Sequence, residues 1–325
     1  MGDALAFYVG ETFDRFLTAP LLASGQLGSS TPVSDDLLAK AQERIPKACV
    51  ALAHDGTRVG NRTFWAVGGA SAKTSCQAEV SNGVPFFLAC CDQGGAASLA
   101  IPGINPIRGA LGVDISHDAK GTIWLLWLDN TCCTGANRGT ARVVELDPAT
   151  LALRTRPYAV PTGLVDNLKL ACASTCRVVV QTASGKLASW APGDRSPTTI
   201  VRKVEIVSSD EDVPQLLDAS YQGGRLLVAY RAVVGKRADP RDTLIVARGD
   251  ARGRNSRAVS SIEVTTWPPT TFPPAKGKPR FPLCTFPSPY ATFVPRGLAA
   301  VTVYRTGPPN RDCPVVLGTL LPLAG

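Results

Sequence analysis

Six short runs of β-branched, leucine and aromatic residues recur along this chain, and they limit its possible folds more than any other feature. They run from Leu5 to Val9, Thr63 to Val67, Thr122 to Trp127, Arg177 to Gln181, Arg225 to Tyr230 and Leu298 to Tyr304. Their starts are separated by 58, 59, 55, 48 and 73 residues. Most follow a turn-forming step: Asp55-Gly56, Asp118-Ala119-Lys120-Gly121, Gln222-Gly223-Gly224 or Pro295-Arg296-Gly297. A second run often follows, as in Ala141 to Leu146 and Thr243 to Ala247. A unit of this size with about four short strands is what a propeller blade requires. One such sheet cannot cover both of its apolar faces, whereas stacking around an axis covers every sheet at once. The expectation is therefore a single all-β domain over residues 1–325, a β-propeller, with six units suggesting six blades. A pair of β-sandwiches is the competing fold, and the repeat ranks it second. The closing segment, Pro314 to Leu321, could complete the first blade and lock the ring.

Two segments break the pattern. Ser34 can cap a helix through residues 35–45, with Asp35 and Asp36 in its first turn and Pro46 as the stop. Leu37, Leu38, Ala41 and Ile45 then share one side, so the helix is expected to lie against a larger body. Residues 265–289 hold Trp267, Phe272, Phe281 and Phe286 among prolines, a composition that favours an extended loop packed on the protein's own surface and excludes a central strand.

With 45% hydrophobic and 18% charged residues, the chain can bury a large core, and its 30 glycines and 26 prolines argue against long helices. No apolar run approaches the roughly 18 residues of a membrane helix. The ten cysteines are Cys49, Cys76, Cys90, Cys91, Cys132, Cys133, Cys172, Cys176, Cys284 and Cys313. No CxxC pair occurs, and only two histidines could join them. Disulfides in an oxidising compartment are thus expected rather than a metal site, which implies a secreted, periplasmic or cell-surface protein. Met1 to Ala4 lacks a basic leader, so that expectation requires a signal peptide already removed, or a start upstream of Met1. The adjacent pairs Cys90-Cys91 and Cys132-Cys133 are read as neighbours on opposite faces of a strand, each bridging elsewhere. Cys172 and Cys176 can staple a tight turn. Cys49 with Cys76 and Cys284 with Cys313 could each bracket a unit, though spacing does not fix connectivity.

The segment Ser116-His117-Asp118-Ala119-Lys120-Gly121-Thr122-Ile123-Trp124 resembles the Asp/Gly turn and following Trp strand of secreted bacterial propellers, including sensor-type and sialidase-like ones. Its spacing differs by one residue from an Asp-box. Ala53-His54-Asp55-Gly56 through Trp65 repeats the theme more loosely. The resemblance implies the fold and carries no activity.

No catalytic constellation is legible. His54 and His117 each precede an aspartate, but adjacent residues cannot easily form the oriented hydrogen bond of a triad, and no Gly-x-Ser-x-Gly elbow accompanies them. Both pairs are read as equivalent turns. Nucleotide-binding glycine motifs and His-Glu-x-x-His are absent. Asp210-Glu211-Asp212 is the densest acidic cluster and a weak candidate for calcium, without the spaced ligand loop of a dedicated site; no other cofactor is expected. Arg248-Gly249-Asp250 reads as an ordinary turn, while Asn61-Arg62-Thr63 and Asn130-Thr131-Cys132 match a glycosylation acceptor relevant only to a eukaryotic secretory route. Half of the net charge of +8 lies between Lys236 and Arg257, where seven basic residues face three acidic ones. No aromatic residue lies in that stretch to stack a base, so a solvated loop face is expected and nucleic acid is not.

The expected function is a non-catalytic extracellular or periplasmic module that holds a glycan or protein through rim loops. The alternative is a carbohydrate-active enzyme, glycosidase- or sialidase-like, with carboxylates at the central channel. Two carboxylates at glycosidase spacing in that channel would favour the enzyme.

Overall fold

A computed structural model describes residues 5–9, 16–20, 28–29, 31–32, 49–60, 62–71, 87–92, 95–100, 112–129, 139–202, 204, 216–236, 239–263, 288–294, 297–303 and 317–322. The expected helix over 34–45, the proline-rich segment up to residue 287, the acidic cluster at 210–212, and Cys76, Cys132, Cys133, Cys284 and Cys313 lie outside the described residues.

The described residues form six consecutive antiparallel sheets. The first holds β1 (Leu5–Val9), β2 (Phe16–Pro20) and β3 (Thr31–Pro32). The second holds β4 (Cys49–Val59), β5 (Arg62–Ser71), β6 (Phe87–Asp92) and β7 (Gly95–Ala100). The third contains β8 (Val113–His117), β9 (Ile123–Asp129), β10 (Thr140–Leu146) and β11 (Tyr158–Ala159). The fourth contains β12 (Val165–Cys172), β13 (Cys176–Thr182), β14 (Leu187–Trp190) and β15 (Thr198–Val201). The fifth is β16 (Leu216–Gln222), β17 (Arg225–Lys236), β18 (Asp239–Arg248) and β19 (Arg257–Glu263). The sixth is β20 (Ser288–Val294), β21 (Gly297–Val303) and β22 (Leu317–Pro322). Every sheet is an up-and-down meander, and the first strands β1, β4, β8, β12, β16 and β20 neighbour one another in that order. This is a β-propeller, with the first strand of each sheet innermost.

Packing between the sheets explains the apolar runs. In β9, Ile123, Leu125 and Trp127 pack with Phe64 and Ala66 of the second sheet, while Trp124, Leu126 and Leu128 pack with Val178 and Val180 of the fourth. In β13 the intervening Val179 faces Leu216, Leu226 and Val228 of the fifth sheet. Successive side chains point to opposite faces of a strand, so a strand covered on both faces reads as continuously hydrophobic rather than alternating. Each fully buried Leu, Val or Ile contributes about 1.5–3 kcal/mol relative to exposure.

Two expectations about the repeat are corrected. The runs from Thr63 onward fall in β5, β9, β13, β17 and β21, the second strands of their sheets, whereas Leu5 to Val9 is a first strand. The spacing between residues 5 and 63 therefore compares unlike strands. The closing strand β22 pairs with β21 and forms the third strand of its own sheet, so it does not complete the first.

Turn chemistry recurs in three hairpins. Asp118 Oδ1 accepts the N–H groups of Lys120 (2.9 Å) and Thr122 (3.0 Å), and Gly121, at φ +79°, completes the reversal. Asp250 Oδ1 accepts those of Arg252 (2.8 Å) and Arg254 (2.9 Å) ahead of Gly253, and Thr182 Oγ1 accepts that of Lys186 (3.1 Å) after Gly185. Each side chain satisfies the N–H groups a tight turn leaves open, and glycine occupies the left-handed position at no steric cost. Cys172 and Cys176 lie opposite each other across the β12–β13 hairpin and form a disulfide, as their spacing suggested. Cys90 and Cys91 are consecutive positions of β6, in register with Phe64 and Thr63. No helix among the described residues is long and apolar enough to cross a membrane.

Candidate functional site

The first strands carry polar residues that a buried, apolar strand would not choose for packing. Asp55 lies in β4, Asp114 in β8, Lys169 in β12, Asp218 in β16 and Thr292 in β20. In register these residues stand opposite Ala66, Leu126, Val179, Ala229 and Ala299 of the second strands. They form one tier around the axis.

Hydrogen bonds tie the tier together from strand to strand. Asp55 Oδ2 accepts the N–H of Ile115 (3.1 Å), the residue after Asp114. Asp114 Oδ2 accepts that of Leu170 (2.5 Å), the residue after Lys169. Asp218 Oδ2 accepts that of Phe293 (2.7 Å), the residue after Thr292. One step of the series has no acceptor, because an ammonium only donates. There the N–H of Ala219 bonds to Oδ1 of its own neighbour Asp218 (2.7 Å). The link from the fourth sheet to β16 is made two residues earlier, where Asn167 Nδ2 of β12 donates to the carbonyl of Leu216 (2.7 Å) and Gln181 Oε1 of β13 accepts the Leu216 N–H (3.0 Å). Ladder registers shift beside Asn167 and Asp218, and such bulges re-aim the side chains that follow.

The electrostatics single out this tier. Asp114 is only 6% exposed. Burial, then the charge and hydrogen bond of neighbouring Asp55, push its carboxyl well above the ordinary range against the opposing pull of Lys169. Burial also raises Asp218, against Lys169 and the N–H groups of Phe293 and Ala219. For Lys169, burial alone would disfavour the charge, but Asp114, Asp55 and Asp218 overturn that effect and hold it above the usual lysine range. Asp55, Lys169 and Asp218 are each partly exposed.

The histidines are not part of this arrangement. His54 lies within β4, and Asp55-Gly56 is strand rather than turn; the reversal comes at Gly60. The reading of His54-Asp55 and His117-Asp118 as equivalent turns is therefore corrected. His117 Nδ1 meets Thr57 Oγ1 at 2.9 Å, and burial lowers its pKa. Asp118 is occupied by its own turn and by Trp124 Nε1 (3.5 Å). The Asp/Gly/Trp segment is a structural turn. Among the described residues no three His, Cys, Asp or Glu side chains gather as a metal site.

Of the tier residues the motifs pick out only Asp55, and as part of a turn, yet a signal exists for the others. Asp55, Asp114 and Lys169 each lie eight residues before the runs at Thr63, Thr122 and Arg177, and Asp218 lies seven before Arg225. A charge at a fixed offset from a repeated apolar strand marks a position that packing cannot explain.

No family model matches the chain, and no curated protein matches it. Among solved structures, it is similar to an endo-arabinase from Bacteroides thetaiotaomicron (10% identity, 99% of this chain and 94% of the other, TM-score 0.42). It is also similar to the catalytic domain of a GH62 alpha-L-arabinofuranosidase from Coprinopsis cinerea (14% identity, 83% and 89%, TM-score 0.42). A third is the allergen Mala s 1 of Malassezia sympodialis (9% identity, 92% and 86%, TM-score 0.46).

Proposed function

We propose that this propeller is a carbohydrate-active enzyme of a secreted, periplasmic or cell-surface setting, with the axial carboxylates performing acid–base hydrolysis of a glycosidic bond. One observation carries this reading: three carboxylates and one lysine stand on successive first strands, with the carboxyl of Asp114 pushed well above the ordinary range. Glycoside hydrolysis needs one carboxyl that keeps its proton and a second that has lost it, separated by roughly 5–9.5 Å. Asp55 and Asp114 are in hydrogen-bond contact, too close to flank a sugar oxygen. Asp114 on β8 and Asp218 on β16 act on Lys169 from the strands on either side of it and are the pair assigned here. Asp114 is then the general acid. Asp218 is the base or nucleophile, oriented by the N–H groups of Ala219 and Phe293 and kept ionised longer by Lys169. Asp55 positions Asp114 and sets its proton. The carboxylates support enzymatic action over a non-catalytic rim-binding role, and the solved-structure likenesses add nothing to it.

The test is release of new reducing ends from a panel of arabinan, xylan and galactan. At least one polymer is expected to be cleaved, with the activity missing from an Asp114→Asn preparation purified in the same way. Absence of cleavage across the whole panel, or equal cleavage by both preparations, would overturn the reading.

A further inference from the structure

Away from the axis, the turns of the fourth and fifth sheets gather a cationic surface larger than the sequence displays. Two shallow depressions of about 580 and 640 Å3 meet at Asn255. Arg225, Arg248, Arg254 and Arg257 line the first, with Lys186 and Arg202 in the second. Lys186 and Arg202 lie well before the basic stretch in sequence and belong to the neighbouring sheet, so only the fold brings them to it. Asp250 is the one acidic lining residue. Its carboxylate is already engaged by the N–H groups of Arg252 and Arg254 and by Arg254 Nε (2.9 Å).

The turn that carries part of this surface is held in place. Ser189 Oγ of β14 donates to the carbonyl of Arg252 (2.5 Å), and Tyr221 Oη of β16 donates to that of Ala251 (2.7 Å). A Cβ on Gly253 would meet Leu226 and Ile200 at 2.9 and 3.0 Å, and one on Gly249 would meet the backbone of Gly253 at 2.8 Å. Asn255 sits in the left-handed region at φ 55° where the two depressions join. Cations on a fixed scaffold lose less freedom when a ligand arrives than cations on a loose loop.

We propose that this surface binds a polyanionic polysaccharide, one bearing carboxylates or sulfates at successive sugars. Six basic residues and one acid line the two adjoining depressions, an excess of five positive charges, which suits a chain of repeated charges better than a single ion. Among the described residues no aromatic side chain lines either depression to stack a base as single-stranded nucleic acid binding uses, and sugars need none. The site is separate from the axial carboxylates and does not depend on their chemistry. It goes beyond the expectation of a solvated loop face.

Affinity electrophoresis of the whole chain against polygalacturonate, dextran sulfate, neutral dextran and oligo(dT) tests this. Retardation is expected with at least one charged glycan and not with dextran, and it should vanish near 1 M salt, where the Debye length is about 3 Å. Arg225→Gln/Arg257→Gln should weaken binding about tenfold, as the loss of two surface charges facing a polyanion does. Arg58→Gln/Arg156→Gln removes two exposed charges on other sheets and should change binding by less than about twofold, within the reach of a general charge effect. The proposal fails if the two variants weaken binding equally, if neither charged glycan retards the protein, or if oligo(dT) binds more tightly than both.

Discussion

Asp114→Asn is expected to lower glycan hydrolysis by about 10²–10⁴-fold, the usual range for a positioned general acid, while the protein remains folded. The substitution separates two roles of one side chain. An asparagine carbonyl can still accept the N–H of Leu170, and its amide can still donate to Asp55, so the strand-to-strand link survives. It has no proton to give a leaving group. The same variant carries a signature in stability. A carboxyl whose folded pKa lies above the unfolded value of about 3.9 contributes stability that is complete below that value and is lost as pH rises through the folded pKa. The variant lacks this loss, so its stability relative to the parent should improve as pH rises from about 4 toward neutrality. Urea denaturation across that window, with hydrolysis rates beside it, gives both readouts. Retention of activity within about twofold would remove Asp114 as the acid.

Lys169→Met is expected to be the most destabilising single change in the tier, by about 3–5 kcal/mol near neutral pH, because it leaves buried carboxyls without their cation. Methionine fills similar space, so cavity formation is a minor part of the loss. The sign with pH follows from the carboxyls. Without the ammonium, Asp114 and Asp218 bind protons more tightly in the fold than in the unfolded chain, so the variant should regain stability as the pH falls toward about 4. Adding Asp218→Asn should recover part of the loss, since one uncompensated charge is removed. A loss below about 1 kcal/mol that is constant with pH would mean that Lys169 is solvated and not coupled to the carboxyls.

The fold was legible because its cause is periodic. Trp124 and Leu126 need cover on one side of β9 and Leu125 and Trp127 on the other, and that demand writes itself as an unbroken apolar run in each unit. The first spacing misled because β1 and β5 are both apolar strands, and composition does not say which place in a sheet a strand takes. The site was not legible as a motif, because its members come from different sheets, tens of residues apart. Asp55 beside Gly56 looks like a turn, and only pairing with Ala66 shows it to be strand. Asp118 has the more suggestive neighbours, yet its oxygens are consumed by its own turn, whereas Asp114 four residues earlier reaches another sheet. The cationic surface was half visible: Arg248 to Arg257 is a run, while Lys186 and Arg202 join it only through the packing of adjacent sheets.

Carbon-13 NMR titration of the aspartate side-chain carboxyls, assigned through single Asp→Asn variants, examines the coupled axial tier most directly. The Asp114 carboxyl should keep its proton well past the pH at which Asp147, held low by Arg154 and the N–H groups of Thr150 and Ala149, has lost its own, and its midpoint should climb further in Lys169→Met. A midpoint near 4, unmoved by loss of the lysine, would contradict it.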